Sequence, residues 1–158
     1  MLMFPKTLVA EDDPNDALLL HCAFKRAGIT ATVHFVSDGV EAIDYLRGKQ
    51  LFEKVASSTL PGLLLVDLEM PRLDGFGVLE WLRKHPHLRP SLVVVITSAQ
   101  NDQDLARAHS LGADLCLLKT SIPSELAKLV QMLQECYDSH TGFNRTAPAS
   151  SHTAVVSL

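Results

Sequence analysis

The chain has 158 residues, of which 47% are hydrophobic and 20% are charged, and its formal net charge at pH 7 is −4. These values fit one globular domain and exclude both a mostly disordered chain and the basic excess of a nucleic-acid-binding protein. The three cysteines, Cys22, Cys116 and Cys136, form no CxxC motif, so we expect a reducing, cytoplasmic location. No segment matches a signal peptide or a membrane helix, so no membrane association is expected.

Short apolar runs alternate with longer segments of helical periodicity along the chain. In chain order, the runs that predict strands are residues 7–10, 32–36, 63–66, 92–96 and 115–118. The segments that predict helices are residues 14–27, 40–47, 75–84, 102–111 and 124–137. This alternation predicts an α/β fold, with a doubly wound parallel sheet of five strands and helices on both of its faces.

The ends of the predicted helices carry residues with known capping preferences. Asp13 predicts the start of the first helix, Gly28 predicts its end, and Ser124 predicts the cap of the last helix.

Near the C-terminus the sequence becomes rich in Ser, Thr and Ala. We therefore expect a folded domain at residues 1–139 and a disordered tail at residues 140–158.

Polar residues stand where four of the five apolar runs stop. They are Glu11 and Asp12 after the first run, Asp67 after the third, Thr97 after the fourth and Lys119 after the fifth. The carboxyl ends of parallel strands meet at one edge of the sheet, which is where such folds bind ligands. We therefore expect these five residues to lie close together, although they come from distant parts of the sequence.

The chemistry that this set of residues supports is metal-assisted phosphoryl transfer. Crowded carboxylates bind a hard divalent cation such as Mg²⁺, while an ammonium group and a hydroxyl group can hold phosphoryl oxygens. Asp67 is the expected nucleophile, because phosphoryl transfer depends more on positioning and charge neutralisation than on the strength of the nucleophile. Mg²⁺ and Lys119 would supply that neutralisation.

Four motifs resemble those of the receiver domains of two-component response regulators. They are LVAEDDPNDALLL, LLLVDLEMPRLDGFGVLEWL, VVVITSAQ and LGADLCLLKTSIP, in the order and spacing of that family over residues 7 to about 137. The resemblance implies a flavodoxin-like (βα)5 fold with strand order 2-1-3-4-5. A long polar loop at 48–60 also resembles the stand-alone, single-domain regulators that are associated with phytochromes.

The resemblance gives each residue of the set a role. It implies that Asp67 is phosphorylated, that Thr97 is the switch hydroxyl and that Lys119 is the lysine of the family's active site. The implied ligands of Mg²⁺ are Asp12, Asp67, the backbone carbonyl of Glu69 and, through water, Glu11. No other cofactor is expected.

The function that the resemblance implies is that of a single-domain response regulator. A sensor histidine kinase, such as a phytochrome-like one, or a histidine phosphotransfer protein would donate a phosphoryl group to Asp67. The phosphorylated form would then act through protein–protein interaction, through homodimer formation or within a phosphorelay, and not on nucleic acid. We do not expect an enzyme, beyond the Mg²⁺-dependent phosphorylation and dephosphorylation of the protein's own aspartate.

Two residues depart from the family pattern. Cys116 stands where many receivers have an aromatic residue that turns inward on activation. Thr120 stands where proline is usual, so a cis peptide bond is not expected there. The loop after Lys119 is therefore expected to follow a different path.

Two other functions remain open at this point. One is that of a degenerate receiver, which binds partners constitutively without phosphoryl turnover. The other is that of a phosphatase-type hydrolase with an aspartyl nucleophile. Such hydrolases commonly need the pattern Asp-x-Asp, whereas the second acid here is Glu69.

Overall fold

The computed structural model describes residues 4–29, 33–48, 60–98, 101–143 and 154–156. Its strands are β1 (Thr7–Ala10), β2 (Val33–Val36), β3 (Leu63–Val66), β4 (Leu92–Thr97), β5 (Leu115–Leu118) and β6 (Ala154–Val156). Its α-helices are α1 (Pro14–Arg26), α2 (Gly39–Leu46), α3 (Gly75–Lys84), α4 (Asp102–Ser110) and α5 (Pro123–Phe143). None of these helices is both long and apolar enough to cross a membrane.

The strands form one parallel sheet in the order β2-β1-β3-β4-β5-β6. The order 2-1-3-4-5 that the sequence predicts for the first five strands is confirmed. β6 is an additional strand that the sequence does not predict, and it lies beside β5 with Val155 in register with Cys116. The rest of the predicted tail after Phe143, like most of the predicted loop at 48–60, lies outside the described residues.

Side chains of the central strands alternate between two hydrophobic layers, because successive residues of a strand point to opposite faces of the sheet. Leu64 and Val93 belong to the layer that α2, α3 and α4 cover, whereas Leu65 and Val94 belong to the layer that α1 and α5 cover. Every residue of β3 and β4 is buried. Packing on both faces thus fixes the strands relative to one another and places their carboxyl ends along one edge.

Helix boundaries follow the sequence predictions closely, except at α5. Asp13 caps α1 by accepting hydrogen bonds from two backbone N–H groups of the first turn, and Gly28 follows the helix with a φ of 75°. α5 begins at Pro123, so the predicted cap at Ser124 is wrong, and proline at the first helical position explains the earlier start. The same helix continues past residue 137 to Phe143 through polar residues that give no apolar periodicity.

Gly75 lets the start of α3 pack directly against the end of β3. Its backbone N–H donates a hydrogen bond to the carbonyl oxygen of Leu68 at 3.1 Å. A Cβ atom at this position would lie 2.8 Å from the Cα atom of Leu68 and closer still to the carbonyl oxygen of Asp67. Only glycine therefore allows this contact without a shift of the backbone next to Asp67.

We expect Gly75→Ala to lower the free energy of unfolding by about 1–3 kcal/mol, because the added methyl group overpacks a site lined by backbone. The matched control is Gly142→Ala in α5, where an added Cβ meets nothing within 4 Å. That control is expected to stabilise the protein by up to about 1 kcal/mol through helix propensity. Urea unfolding measures both values, and equal values for Gly75→Ala and wild type would contradict the packing argument.

Candidate functional site

The ammonium group of Lys119 lies between three carboxylates at the carboxyl edge of the sheet. Its Nζ atom is 2.8 Å from Glu11 Oε2, 2.8 Å from Asp67 Oδ2 and 2.9 Å from Asp16 Oδ2. Glu11 directly follows β1, Asp67 directly follows β3 and Lys119 directly follows β5. The parallel sheet thus places these three residues of the predicted set in direct contact.

Glu11, Asp12 and Asp67 form an acidic cluster. One carboxylate oxygen of each residue lies within 4.8 Å of the oxygens of the other two. Glu11 is 4% exposed and Asp67 is 3% exposed, whereas Asp12 is open to solvent. Oxygen ligands at this spacing suit a hard divalent cation, which would offset the mutual repulsion of the carboxylates.

The Asp67 carboxylate is held through both of its oxygens. Oδ2 accepts a hydrogen bond from Lys119 at 2.8 Å, and Oδ1 accepts one from the backbone N–H of Glu69 at 3.2 Å. The backbone N–H of Asp67 donates to the carbonyl oxygen of Ala10, so the end of β1 fixes its position. The Glu69 peptide therefore lies beside Asp67 with its side chain in solvent, and a ligand role for its carbonyl stays a prediction.

The pKa values of Glu11 and Lys119 are both raised, that of Glu11 mainly by burial and that of Lys119 by its contacts with carboxylates. Burial raises the pKa of Glu11 to about 7, and the Asp67 charge adds to this, while Lys119 and the backbone N–H of Asp13 oppose it. Burial alone would lower the pKa of Lys119, but its contacts with Asp67, Glu11 and Asp16 outweigh that effect and raise it above its usual value. Lys119 is therefore positively charged at neutral pH.

Thr97 and Cys116 lie on neighbouring strands near the acidic cluster. Thr97 is the last residue of β4, it is completely buried, and its backbone carbonyl accepts a hydrogen bond from the N–H of Lys119 at 2.9 Å. Cys116 on β5 is buried in the layer that α4 covers, and burial raises the pKa of its thiol. A small, neutral side chain thus occupies the place of the family's aromatic residue.

Thr120 organises the loop that connects Lys119 to α5. Its hydroxyl group donates a hydrogen bond to the carboxylate of Glu125 and accepts one from the backbone N–H of Ile122 at 3.2 Å. The residues that the structure describes contain no cis peptide bond. Side-chain hydrogen bonds therefore shape this loop in the place of the usual proline.

Two contacts near the site are absent from the sequence predictions. Asp16 contacts Lys119 from the first turn of α1, and no local pattern in the sequence marks this contact. Arg72, in the loop after β3, has a φ of 63° and donates from Nε to Asp38 Oδ2 at 2.7 Å. This second contact joins distant segments, and no local pattern marks it.

The raised pKa of Glu11 predicts how the stability of the metal-free protein depends on pH. An acid whose pKa is higher in the folded state than in the unfolded state loses stabilising free energy as the pH rises from the unfolded value toward the folded one. In EDTA, Glu11→Gln should therefore raise the Tm at pH 8, where the buried carboxylate is charged, and should change it much less at pH 5. Thermal unfolding at both pH values measures this, and an equal loss of Tm at both would contradict it.

Comparison with known proteins identifies the family. The response regulator receiver domain model matches residues 7–131, and the chain belongs to this family. A relative in Methanothrix harundinacea, the probable methanogenesis regulatory protein FilR2, is 34% identical over 88% of this chain and 85% of its own length. This assignment is the two-component receiver class that the four motifs predict.

Solved structures agree with that assignment. Response regulator RPA3017, described in red light signaling of R. palustris, has a TM-score of 0.73 and 32% identity, covering 93% of this chain and all of its own. The phosphorylated cyanobacterial phytochrome response regulator RcpA has a TM-score of 0.71 and 27% identity over the same shares. The Mn²⁺-bound form of response regulator Rcp1 has a TM-score of 0.68 and 29% identity, covering 90% of this chain and 98% of its own. The predicted similarity to phytochrome response regulators is therefore confirmed.

Proposed function

We propose that the chain is a response regulator whose Asp67 accepts a phosphoryl group from a sensor histidine kinase or a histidine phosphotransfer protein. The observation that carries this proposal is the buried Asp67 carboxylate, held by Lys119 at 2.8 Å inside the acidic cluster. A carboxylate with a fixed cation beside it is placed to attack an anionic phosphoryl group. That RcpA, a structural neighbour, is described as phosphorylated supports the same reading.

The transfer step is a displacement at phosphorus. An Asp67 carboxylate oxygen forms a bond to phosphorus, the bond from phosphorus to the donor's imidazole nitrogen breaks, and its electron pair stays on that nitrogen. The Lys119 ammonium group then pairs with a phosphoryl oxygen, which offsets the added negative charge. Hydrolysis reverses the modification: a water oxygen bonds to phosphorus, Asp67 leaves as a carboxylate, and the proton of the water goes to phosphate or solvent.

A divalent cation, Mg²⁺, fits the acidic cluster by the chemistry of its donors. Carboxylate oxygens would come from Glu11, Asp12 and Asp67, and the exposed Asp12 makes the cluster accessible from solvent. When bound, the cation would neutralise charge on the phosphoryl oxygens. A neighbour, Rcp1, is described in an Mn²⁺-bound form. Lys119 supplies a second, permanent positive charge from the protein itself.

Signal readout is proposed to start at Thr97 and the loop after β5. The backbone carbonyl of Thr97 accepts a hydrogen bond from the backbone N–H of Lys119, so a shift of the Lys119 backbone would reach the end of β4. The Thr120 hydroxyl ties the following residues to α5 through Glu125. The small buried side chain of Cys116 leaves no aromatic ring to turn inward, so the switch relies on these two threonines.

A protein donor is proposed to dock around the site on α1 and the loop after β5. These two elements carry Asp16 and Lys119, which are in contact, and each also presents a large apolar side chain to solvent. Leu18 on α1 is 59% exposed and Ile122 in the loop is 51% exposed. Exposed apolar residues beside a polar site favour a protein partner over nucleic acid, in agreement with the net charge of −4.

A reducing, cytoplasmic location is proposed for this activity. The three cysteines are free in the structure, Cys116 buried and Cys22 exposed. Free thiols of this kind persist in reducing compartments.

The phosphorylated form would act on a protein partner, which includes a second copy of the chain, or pass the phosphoryl group on in a relay.

The primary test is phosphorylation by a small donor. Incubation with Mg²⁺ and acetyl phosphate should add one phosphoryl group to the wild-type chain and none to Asp67→Asn, because the amide is not a nucleophile for phosphorus. Intact mass spectrometry measures the gain, and Asp44→Asn on α2 serves as a charge-matched control that should be phosphorylated normally. No gain in the wild type, together with no Mg²⁺-dependent binding of beryllofluoride, would favour a degenerate receiver instead.

Docking is tested by comparing two phosphoryl donors. Leu18→Ala and Ile122→Ala should slow phosphorylation by a phosphorylated histidine phosphotransfer protein, because each removes exposed apolar contact area worth about 1 kcal/mol or more at an interface. The rate with acetyl phosphate should stay unchanged, since neither side chain belongs to the acidic cluster. Equal slowing with both donors would show that the substitutions disturb the site and not the docking surface.

A further inference from the structure

Asp16 differs from the other two carboxylates that contact Lys119. Glu11 and Asp67 belong to the acidic cluster suited to a cation, whereas Asp16 does not. The side chain of Glu11 is completely buried and that of Asp67 is 4% exposed, but that of Asp16 is 38% exposed. Among the described carboxylates that contact Lys119, Asp16 is thus the one that faces solvent and stays outside the predicted metal site.

The ammonium group of Lys119 has three N–H donors and no acceptor. Nζ donates hydrogen bonds to Asp67 Oδ2 at 2.8 Å and to Asp16 Oδ2 at 2.9 Å, and Glu11 Oε2 lies 2.8 Å away as an ion pair. Carboxylate oxygens of three described residues are thus already in contact with the ammonium group. A phosphoryl oxygen of a donor that approaches Asp67, while Asp67 is still a carboxylate, would add a fourth oxygen with a higher negative charge. One of the existing contacts must then weaken for Lys119 to pair with the phosphoryl group.

The exposures decide which contact weakens most easily. If Lys119 left Glu11 or Asp67 before the transfer step, a buried carboxylate would lose its cation, which is costly in a low-dielectric environment. If Lys119 leaves Asp16, that carboxylate can turn to water from its position in the first turn of α1. The contact with Asp16 is therefore the one that opens.

We propose that Asp16 is a positioning residue that competes with the incoming phosphoryl group for Lys119 and so slows the phosphorylation of Asp67. This inference rests on the proposed function of the site. In the resting protein, Asp16 holds Lys119 toward α1. When a donor binds, the phosphoryl oxygens must displace Asp16 before Lys119 can stabilise the charge that develops in the transfer step.

The test compares Asp16→Asn with wild type, using acetyl phosphate and Mg²⁺. In this reaction an Asp67 oxygen bonds to phosphorus, the bond to the acetyl oxygen breaks, and acetate leaves with the electron pair. The neutral amide is a weaker competitor for Lys119, so we expect the initial rate to rise about fivefold, the worth of one partly exposed ion pair. Beryllofluoride with Mg²⁺ should also bind about fivefold more tightly, since it takes the place of the phosphoryl group.

Two control variants separate competition from other effects. Asp16→Glu keeps the charge and should behave like wild type. Asp138→Asn removes the same charge from a position on α5 away from the site. Asp138 follows Tyr137, whose ring lies against Gly62 at the opposite end of the strands. This variant should also behave like wild type. The Tm of each variant is also measured, so that a rate change caused by altered stability can be distinguished from a rate change caused by competition for Lys119.

Ionic strength distinguishes a direct contact from a long-range field. At about 0.5 M salt the Debye length falls to roughly 4 Å, which screens the long-range repulsion between Asp16 and an anionic donor more than it screens a contact at hydrogen-bond distance. A faster Asp16→Asn variant at both low and high salt supports competition for Lys119. Equal or slower rates in Asp16→Asn, or an effect that disappears at high salt, overturns it while the proposed function stands. Absence of phosphorylation and of beryllofluoride binding in every protein tested would overturn the proposed function itself.

Discussion

The contacts of Lys119 with the carboxylates of Glu11 and Asp67 are the interaction on which the site depends. Both acids are buried, and a buried carboxylate without a cation would take up a proton or destabilise the fold. The contacts exist only because β1, β3 and β5 are parallel and end at the same edge. A register shift of one residue in any of these strands would point the following side chain to the opposite face. The strand register therefore determines both the packing of the core and the geometry of the site.

The loop after β3 is fixed from several sides, and this gives Asp67 a defined position. Gly75 packs against Leu68 at the start of α3, and Arg72 reaches Asp38 at the start of α2. Asp38 also accepts a hydrogen bond from the first turn of α2, so the same carboxylate caps a helix and anchors the loop. For the proposed phosphorylation, a carboxylate held in this way would need little reorganisation before it attacks phosphorus, and positioning of this kind lowers the barrier of phosphoryl transfer.

The residues that would carry the signal differ more from the family pattern than those of the chemistry. The acids, the lysine and the threonine stand at the expected strand ends, whereas Cys116 and Thr120 replace an aromatic residue and a proline. Thr120 compensates with hydrogen bonds to Ile122 and Glu125, which hold the loop next to Lys119. In the proposed mechanism, a conformational change would therefore pass through hydrogen bonds of this loop and of β4.

The sequence predicts the five core strands, because four are short apolar runs that stop at a polar residue and residues 32–36 are rich in β-branched and aromatic residues. It also predicts the candidate site, because the carboxyl ends of parallel strands meet at a common edge. It did not indicate β6, since three residues such as Ala154–Val156 are too few for a periodic signal. It also did not indicate the full length of α5, because residues 138–141 are polar and Gly142 is a poor helix former. The contacts of Asp16 with Lys119 and of Arg72 with Asp38 became apparent only in the folded structure. Those contacts depend on how helices and loops are oriented against the sheet, which no local pattern of residues encodes.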